Sequence, residues 1–138
     1  MPERTLTIIK PDSVEKGNTA RILARLESAG FRIMNIRKLN LSTAQAEAFY
    51  AVHRERPFFG DLVRYMTSGA VFVAVLERDD AVTHLRRTMG ATDPAKADEG
   101  TIRKEFGESI ERNAIHGSDS AENAQIEIAF FFAGSELL

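Results

Sequence analysis

The 138-residue chain has no cysteine, three histidines, four prolines and no long hydrophobic run. Without cysteine there is no disulfide framework and no thiolate nucleophile, and a cytosolic protein needs neither. The histidines are not spaced i, i+4 and none sits in a zinc-type cluster, so a transition-metal site is not expected. The longest apolar run, Ala70 to Leu76, is far too short to span a bilayer. The opening Met-Pro-Glu-Arg-Thr-Leu-Thr has no hydrophobic signal region. These absences point to a cytoplasmic protein without a membrane partner. Lys and Arg number 18 against 20 Asp and Glu, for a net charge of −2, so no general attraction to nucleic acid is expected. Neither a Gly-x-x-x-x-Gly-Lys-Ser/Thr loop nor a Gly-x-Gly-x-x-Gly turn is present, and any phosphate site must be built from side chains.

What is present fits one domain over residues 1–138, with 43% hydrophobic and 28% charged residues. Thr5–Ile9 reads as a strand stopped by Pro11. Thr19–Ser28 reads as a helix with Ile22, Leu23 and Leu26 on one face and Gly30 as its stop. Phe31–Leu39 is a strand. Ser42 and Gln45 form a capping box for a helix to about Val52, and a short helix spans Gly60–Met66. Ala70–Leu76 is a strand buried on both faces. Asp79 or Asp80 caps a helix that ends at Met89, before Gly90. Ala91–Gly100 is a loop, Thr101–Phe106 one helical turn, Ala114–His116 a short strand. A helix from Ser120 to about Phe132 follows, with Asp119 or Ser120 as N-cap, and then a short terminal helix. Two strand–helix–strand units give an α+β fold, a ferredoxin-like split βαβ with a four-stranded antiparallel sheet covered by helices.

His116 is the most informative residue. It lies at a strand end just before a helix start, a place where an imidazole can meet an anion beside free backbone N–H groups, although a packed or capping histidine also fits. Arg86 flanks the Val82, Leu85, Met89 stripe of its helix, either covering apolar surface with its stem or presenting a guanidinium to an anion. Glu127 falls between Phe130 and Phe131 at the edge of an apolar helix, where it is either a surface carboxylate or the group that orients His116. Tyr50 lies on the Ala46, Phe49, Tyr50, His53 stripe as a core residue whose hydroxyl needs a partner. His53 reads as structural and His84 as solvated. Thr92 and Arg103 bracket a loop rich in small residues, and Lys10, Arg86 and Arg103 together would gather positive charge near His116 suited to a polyphosphate.

Several motifs together make a family resemblance. They are Ile9-Lys10-Pro11-Asp12, Arg56-Pro57-Phe58-Phe59, Gly90-Ala91-Thr92, Gly100-Thr101-Ile102-Arg103 and Asn113-Ala114-Ile115-His116-Gly117-Ser118-Asp119-Ser120. With them the chain closely resembles the nucleoside diphosphate kinases, from Thr5 through Phe132, in their shorter bacterial form. The resemblance implies ping-pong transfer of the γ-phosphate of ATP to nucleoside diphosphates, with His116 as the residue that takes it. It implies that Lys10, Tyr50, Arg86, Thr92, Arg103 and Asn113 surround phosphates and ribose. Phe58 would stack on the base, with Leu62 and Ile110 near it and little base selectivity, and Ser118 and Glu127 would support the histidine. Mg²⁺ would arrive on the nucleotide phosphates, with Asp119 reaching it through water. A homo-oligomer is implied, a tetramer or hexamer built from a shared dimer. Asp93 stands where Asn is common, Ala70 where Pro is common, and Asn18-Thr19-Ala20 replaces a glycine-containing helix start. A non-catalytic binding module and a phosphohistidine relay to proteins are the rival classes. The intact set of His116, Arg86, Arg103 and Glu127 speaks for an enzyme.

Overall fold

In the computed structural model, which describes residues 2–138, one antiparallel sheet carries helices on both faces. The strands are β1 (Pro2–Ile9), β2 (Arg32–Leu39), β3 (Val71–Asp79) and β4 (Ile115–Gly117), in the order β2-β3-β1-β4. This is the expected ferredoxin-like arrangement, with the long β1 and β3 at the centre. The helices are α1 (Pro11–Glu15), α2 (Thr19–Ser28), α3 (Thr43–Phe49), α4 (Phe59–Met66), α5 (Ala81–Met89), α6 (Ile102–Phe106) and α7 (Ala121–Phe131). Short 3-10 turns occupy Ala51–His53, Pro94–Lys96 and Gly134–Leu137, the last being the terminal helix expected after α7.

Strand alternation sorts the apolar residues into two cores. Ile9, Ala74, Leu76 and Ile115 face one side and pack with Ile22 and Leu26 of α2 and Leu85 and Met89 of α5. Leu6, Ile8, Val71, Val73 and Val75 face the other and pack with Tyr50, with Tyr65 and Met66 of α4, and with Phe131. Because both faces are covered, the β3 sequence is apolar at successive positions.

Several boundaries differ from the sequence reading, each for a visible reason. Strands β1 and β3 run further into charged sequence because Glu77 lies opposite Arg4 on β1 and Arg32 on β2, and it pairs with both, at 3.0 and 3.5 Å. Pro11 not only stops β1 but occupies the first turn of α1, a helix the sequence reading lacked. Helix α3 has the full Ser42–Gln45 capping box but ends at Phe49. Asp80 stands at the N-cap of α5 at φ 53 without capping it; instead the Val82 N–H donates to Glu3 Oε1 on β1, at 2.9 Å. The N-cap of α7 is Ser120, whose hydroxyl accepts the Asn123 N–H. Strand β4 starts one residue later than expected, because Ala114 has φ 76 and cannot lie in a strand.

Candidate active site

His116 sits on the edge strand β4, opposite Ile8 of β1. Ile115 enters the core beneath α2 and α5, so alternation sends the next side chain, His116, to the other face. There α7 supplies Glu127. Its Oε1 lies 2.9 Å from His116 Nε2 and accepts the Ser118 hydroxyl at 2.8 Å. Ser118 is fully buried, and its N–H is used by Leu6 O at 3.2 Å, which continues the β4–β1 ladder. The Ser118 N–H is therefore not available to an anion.

Phe49, at the end of α3, stands edge-on to the imidazole with ring centroids 5.6 Å apart. The sequence reading placed Phe49 on the core stripe of α3 but not against His116. Tyr50 is buried next to it, and its hydroxyl has no hydrogen-bond partner. Burial, and then the charge of Glu127, push its ionisation far up, so it stays a protonated donor.

A cationic group lies alongside. Lys10, at the end of β1, is buried and donates from Nζ to Asn113 Oδ1 at 2.8 Å. Asn113 in turn donates from Nδ2 to Thr92 O at 3.0 Å, tying the Gly90–Thr92 loop to β1. Arg103 is buried on α6 and spans two strands of backbone, donating to Gly90 O at 3.1 Å and Ile115 O at 2.8 Å. Its Nε has no partner. Arg86, in the last turn of α5, is exposed. Burial lowers the Lys10 ammonium to about 8, and Arg103 adds to the shift, against the opposing pull of Asp12 and Glu111. Burial lowers the Arg103 guanidinium to about 10, with Arg86 adding to it. Arg103 therefore lies close enough to Lys10 and to Arg86 for repulsion within each pair, and a polyanion would relieve that cost.

Two glycines permit this assembly. Gly90 ends α5 at φ 89, and a Cβ there would meet Thr101 Oγ1 at 2.6 Å. A Cβ on Gly117 would meet Leu85 Cδ2 at 2.8 Å and Met89 Sδ at 2.9 Å, so the missing side chain lets α5 close onto β4.

The remaining sequence candidates lie further out. Phe58, at the start of α4, is 49% exposed and touches His53 ring to ring at 5.4 Å. Leu62 is partly buried one turn later, and Ile110 is 61% exposed. Among the described residues no hydrogen bond or ring contact joins these three to His116. Asp119 is exposed and accepts from Asn123 Nδ2 at 2.6 Å. His84 is not free in solvent as expected but meets Phe31 edge-on, with centroids 6.0 Å apart. No group of three or more His, Cys, Asp or Glu among the described residues could hold a metal ion. No helix among them is long and apolar enough to cross a membrane.

Residues 3–137 match the family model for nucleoside diphosphate kinase. The chain belongs to the nucleoside diphosphate kinase family. It is a phosphotransferase of that family. It is 62% identical over 136 residues to a nucleoside diphosphate kinase of Granulibacter bethesdensis, covering 99% of this chain and 97% of the relative. It is 61% identical to that of Campylobacter hominis, with 98% of each covered. Among solved structures, the nucleoside diphosphate kinase of Aquifex aeolicus superimposes with a TM-score of 0.97 at 46% identity, over all of both chains. That of Halobacterium salinarum, in complex with CDP, gives 0.95 at 40% identity, covering all of this chain and 92% of that one.

Proposed function

We propose that His116 carries the phosphoryl group, and that the enzyme works in two half-reactions through a phosphohistidine at Nδ1. The supporting observation is that Nε2 is held by Glu127 at 2.9 Å, while Nδ1 has no hydrogen bond among the described residues. With the proton kept on Nε2, the Nδ1 lone pair attacks the γ-phosphorus of a nucleoside triphosphate. The bond to the β-phosphate oxygen breaks, and the diphosphate leaves with that electron pair. A second diphosphate then reverses the step through its own terminal oxygen and regenerates neutral His116.

Lys10, Arg86 and Arg103 stabilise the charge on the transferring group, and the Tyr50 hydroxyl, buried and without a partner, is a ready donor to a phosphate oxygen. Thr92 and Asn113 complete the phosphate and ribose contacts. Among the described residues no group of three or more His, Cys, Asp or Glu could hold a metal ion, so the residues fit a metal that comes with the substrate. Mg²⁺ carried by the nucleotide would supply charge neutralisation to its phosphates, and Asp119 would meet it through water. Phe58 offers an open π-face, with Leu62 and Ile110 beside it, which suits any base. CDP in the Halobacterium salinarum relative supports the same reading for a pyrimidine.

The chain acts as one domain in the cytoplasm and assembles with copies of itself, as a dimer-based tetramer or hexamer that light scattering would distinguish. Incubation with γ-labelled ATP should leave acid-labile phosphate on the wild type and none on His116→Ala. Equal labelling of both, or of neither, rejects the mechanism.

A further inference from the structure

Two residues before His116, the backbone makes a turn that alanine does not favour. Ala114 is fully buried at φ 76, and the Ile115 N–H bonds back to Asn113 O at 2.9 Å, closing a three-residue turn of the rare, strained hand. Such a conformation persists only where its surroundings impose it. Here the Ala114 carbonyl accepts the Lys10 N–H at 2.9 Å, and its N–H donates to Asp12 Oδ2 at 3.1 Å.

Asp12 is buried to 1% exposure in α1. Its other oxygen, Oδ1, accepts the hydroxyl of Tyr65 on α4, and the same phenol oxygen accepts the Asp12 N–H at 3.0 Å. Tyr65 thus holds both the backbone and the carboxylate of Asp12, and Asp12 holds the turn. The Arg112 guanidinium covers the Tyr65 ring at 5.2 Å. None of these contacts is used by the phosphoryl-transfer chemistry above.

The turn matters because β4 is only three residues long. In a strand, a slip of one residue exchanges the two faces. A relaxed Ala114 would let the chain enter β4 in another register, with Ile115 towards α7 and His116 towards the core beneath α5.

We infer that Asp12, held by Tyr65, is a positioning residue that keeps the Ala114 turn and thereby aims His116 at Glu127. The inference rests on the reading of His116 as the phosphoryl carrier only for its effect on rate; the orientation of the ring can be tested separately.

The test compares Asp12→Ala and Asp12→Ala/Ala114→Gly with the wild type, because glycine takes a positive φ without strain. Three quantities are measured: the single-turnover rate of phosphohistidine formation, the ADP dissociation constant, and the ¹⁵N signals of His116. Asp12→Ala should slow phosphorylation at least tenfold while ADP affinity stays within threefold. Its His116 ¹⁵N signals should move from one tautomer towards a mixture. The added Ala114→Gly should restore at least a third of the lost rate and the single tautomer. Wild-type rate and tautomer in Asp12→Ala, or a loss that Ala114→Gly leaves untouched, overturns the inference. If Asp12→Ala does not fold, Tyr65→Phe is measured in its place, and an unchanged tautomer there overturns it equally. Should the wild type take no phosphate at all, the phosphohistidine reading fails, while the ¹⁵N comparison still decides the role of Asp12.

Discussion

Glu127 offers the sharpest quantitative test of the site, because one oxygen serves two donors. Its Oε1 meets His116 Nε2 at 2.9 Å and the Ser118 hydroxyl at 2.8 Å, with the carboxylate side chain 20% exposed. As Nδ1 bonds to phosphorus the ring gains positive character, so the attraction between Nε2–H and the carboxylate grows towards the transition state. A full unit charge about 4 Å from a carboxylate is worth about 4 kcal/mol at an effective dielectric of 20. Only part of that charge develops, so about 2 kcal/mol is the share available to the rate, or about 30-fold. Glu127→Gln keeps an acceptor at the same place and should lose about this factor in single-turnover phosphorylation. Glu127→Ala also frees the ring to rotate and should lose about 10³-fold, near the scale of removing an orienting carboxylate elsewhere. Neither side chain is assigned to the nucleotide, so the dissociation constant for ADP should move less than threefold. Stability should separate from rate: alanine leaves the buried Ser118 hydroxyl without a partner, costing about 1–3 kcal/mol, while glutamine costs less. Quench-flow with labelled ATP measures the rate, and thermal unfolding the stability. A Glu127→Ala enzyme that phosphorylates within threefold of wild type refutes the orienting role and leaves Glu127 as a partner of Ser118 alone.

Two other consequences follow from the same coordinates. Lys10 is charged below about 8 in the folded chain, so kcat/KM, which reports the free enzyme, should fall as pH rises through that value, and Lys10→Gln should lack this limb. The linked stability runs the opposite way: the ammonium of the unfolded chain titrates at 10.5, so the cost of burying the charge is fully present below about 8 and disappears between about 8 and 10.5. Stability should therefore rise across that window by about 3 kcal/mol from this group, less so in Lys10→Gln, as denaturant midpoints at pH 7.5 and pH 10 would reveal. Gly117→Ala puts a methyl where Leu85 and Met89 already stand, at 2.8 and 2.9 Å, and should cost about 1–3 kcal/mol. It should also weaken ATP binding by moving α5 and Arg86; a variant as stable as the wild type contradicts the close packing seen here.

The sequence disclosed those parts of the molecule that depend on local patterns. Helix α2 has the expected limits because Ile22 and Leu26 repeat at helical spacing and both are buried. The Ser42–Gln45 box starts α3 because both of its hydrogen bonds are local, within three residues. The charged ends of β1 and β3 were not legible, because the pairing that makes them strands joins Arg4, Arg32 and Glu77 across three strands. Helix α1 was missed since Pro11 signals the end of a strand as well as the start of a helix. At the candidate site, the strand end before a helix start singled out His116, but Glu127 at the edge of an apolar helix read equally as a surface carboxylate, and only the packing of α7 on β4 sets their 2.9 Å distance. Phe49 could not be placed against His116, because the i, i+3, i+4 stripe says only which face is inward. Asp12 read as part of a family motif, and nothing in its neighbours revealed that it reaches Tyr65 and Ala114, which are 53 and 102 residues away.

Several positions that local rules would judge unfavourable belong to the candidate site, while others, the Thr5 and Ser13 hydroxyls and Asp80, do not. Arg103 is buried with an unpaired Nε, Tyr50 is buried with an unpaired hydroxyl, Lys10 is buried beside another cation, and Ala114 holds a positive φ. Each costs folding free energy, offset only in part by the Lys10–Asn113 hydrogen bond and by the backbone bonds that hold Ala114. A buried donor without an acceptor stabilises nothing by itself, and a phosphate oxygen would supply the partner it lacks. The repulsion of Arg103 with Lys10 and with Arg86 is a cost of the same kind, which a polyphosphate would convert into attraction. The two well-packed cores on either side of the sheet supply the stability that lets these costs persist. These unsatisfied and like-charged groups support the proposal that the site receives an anion.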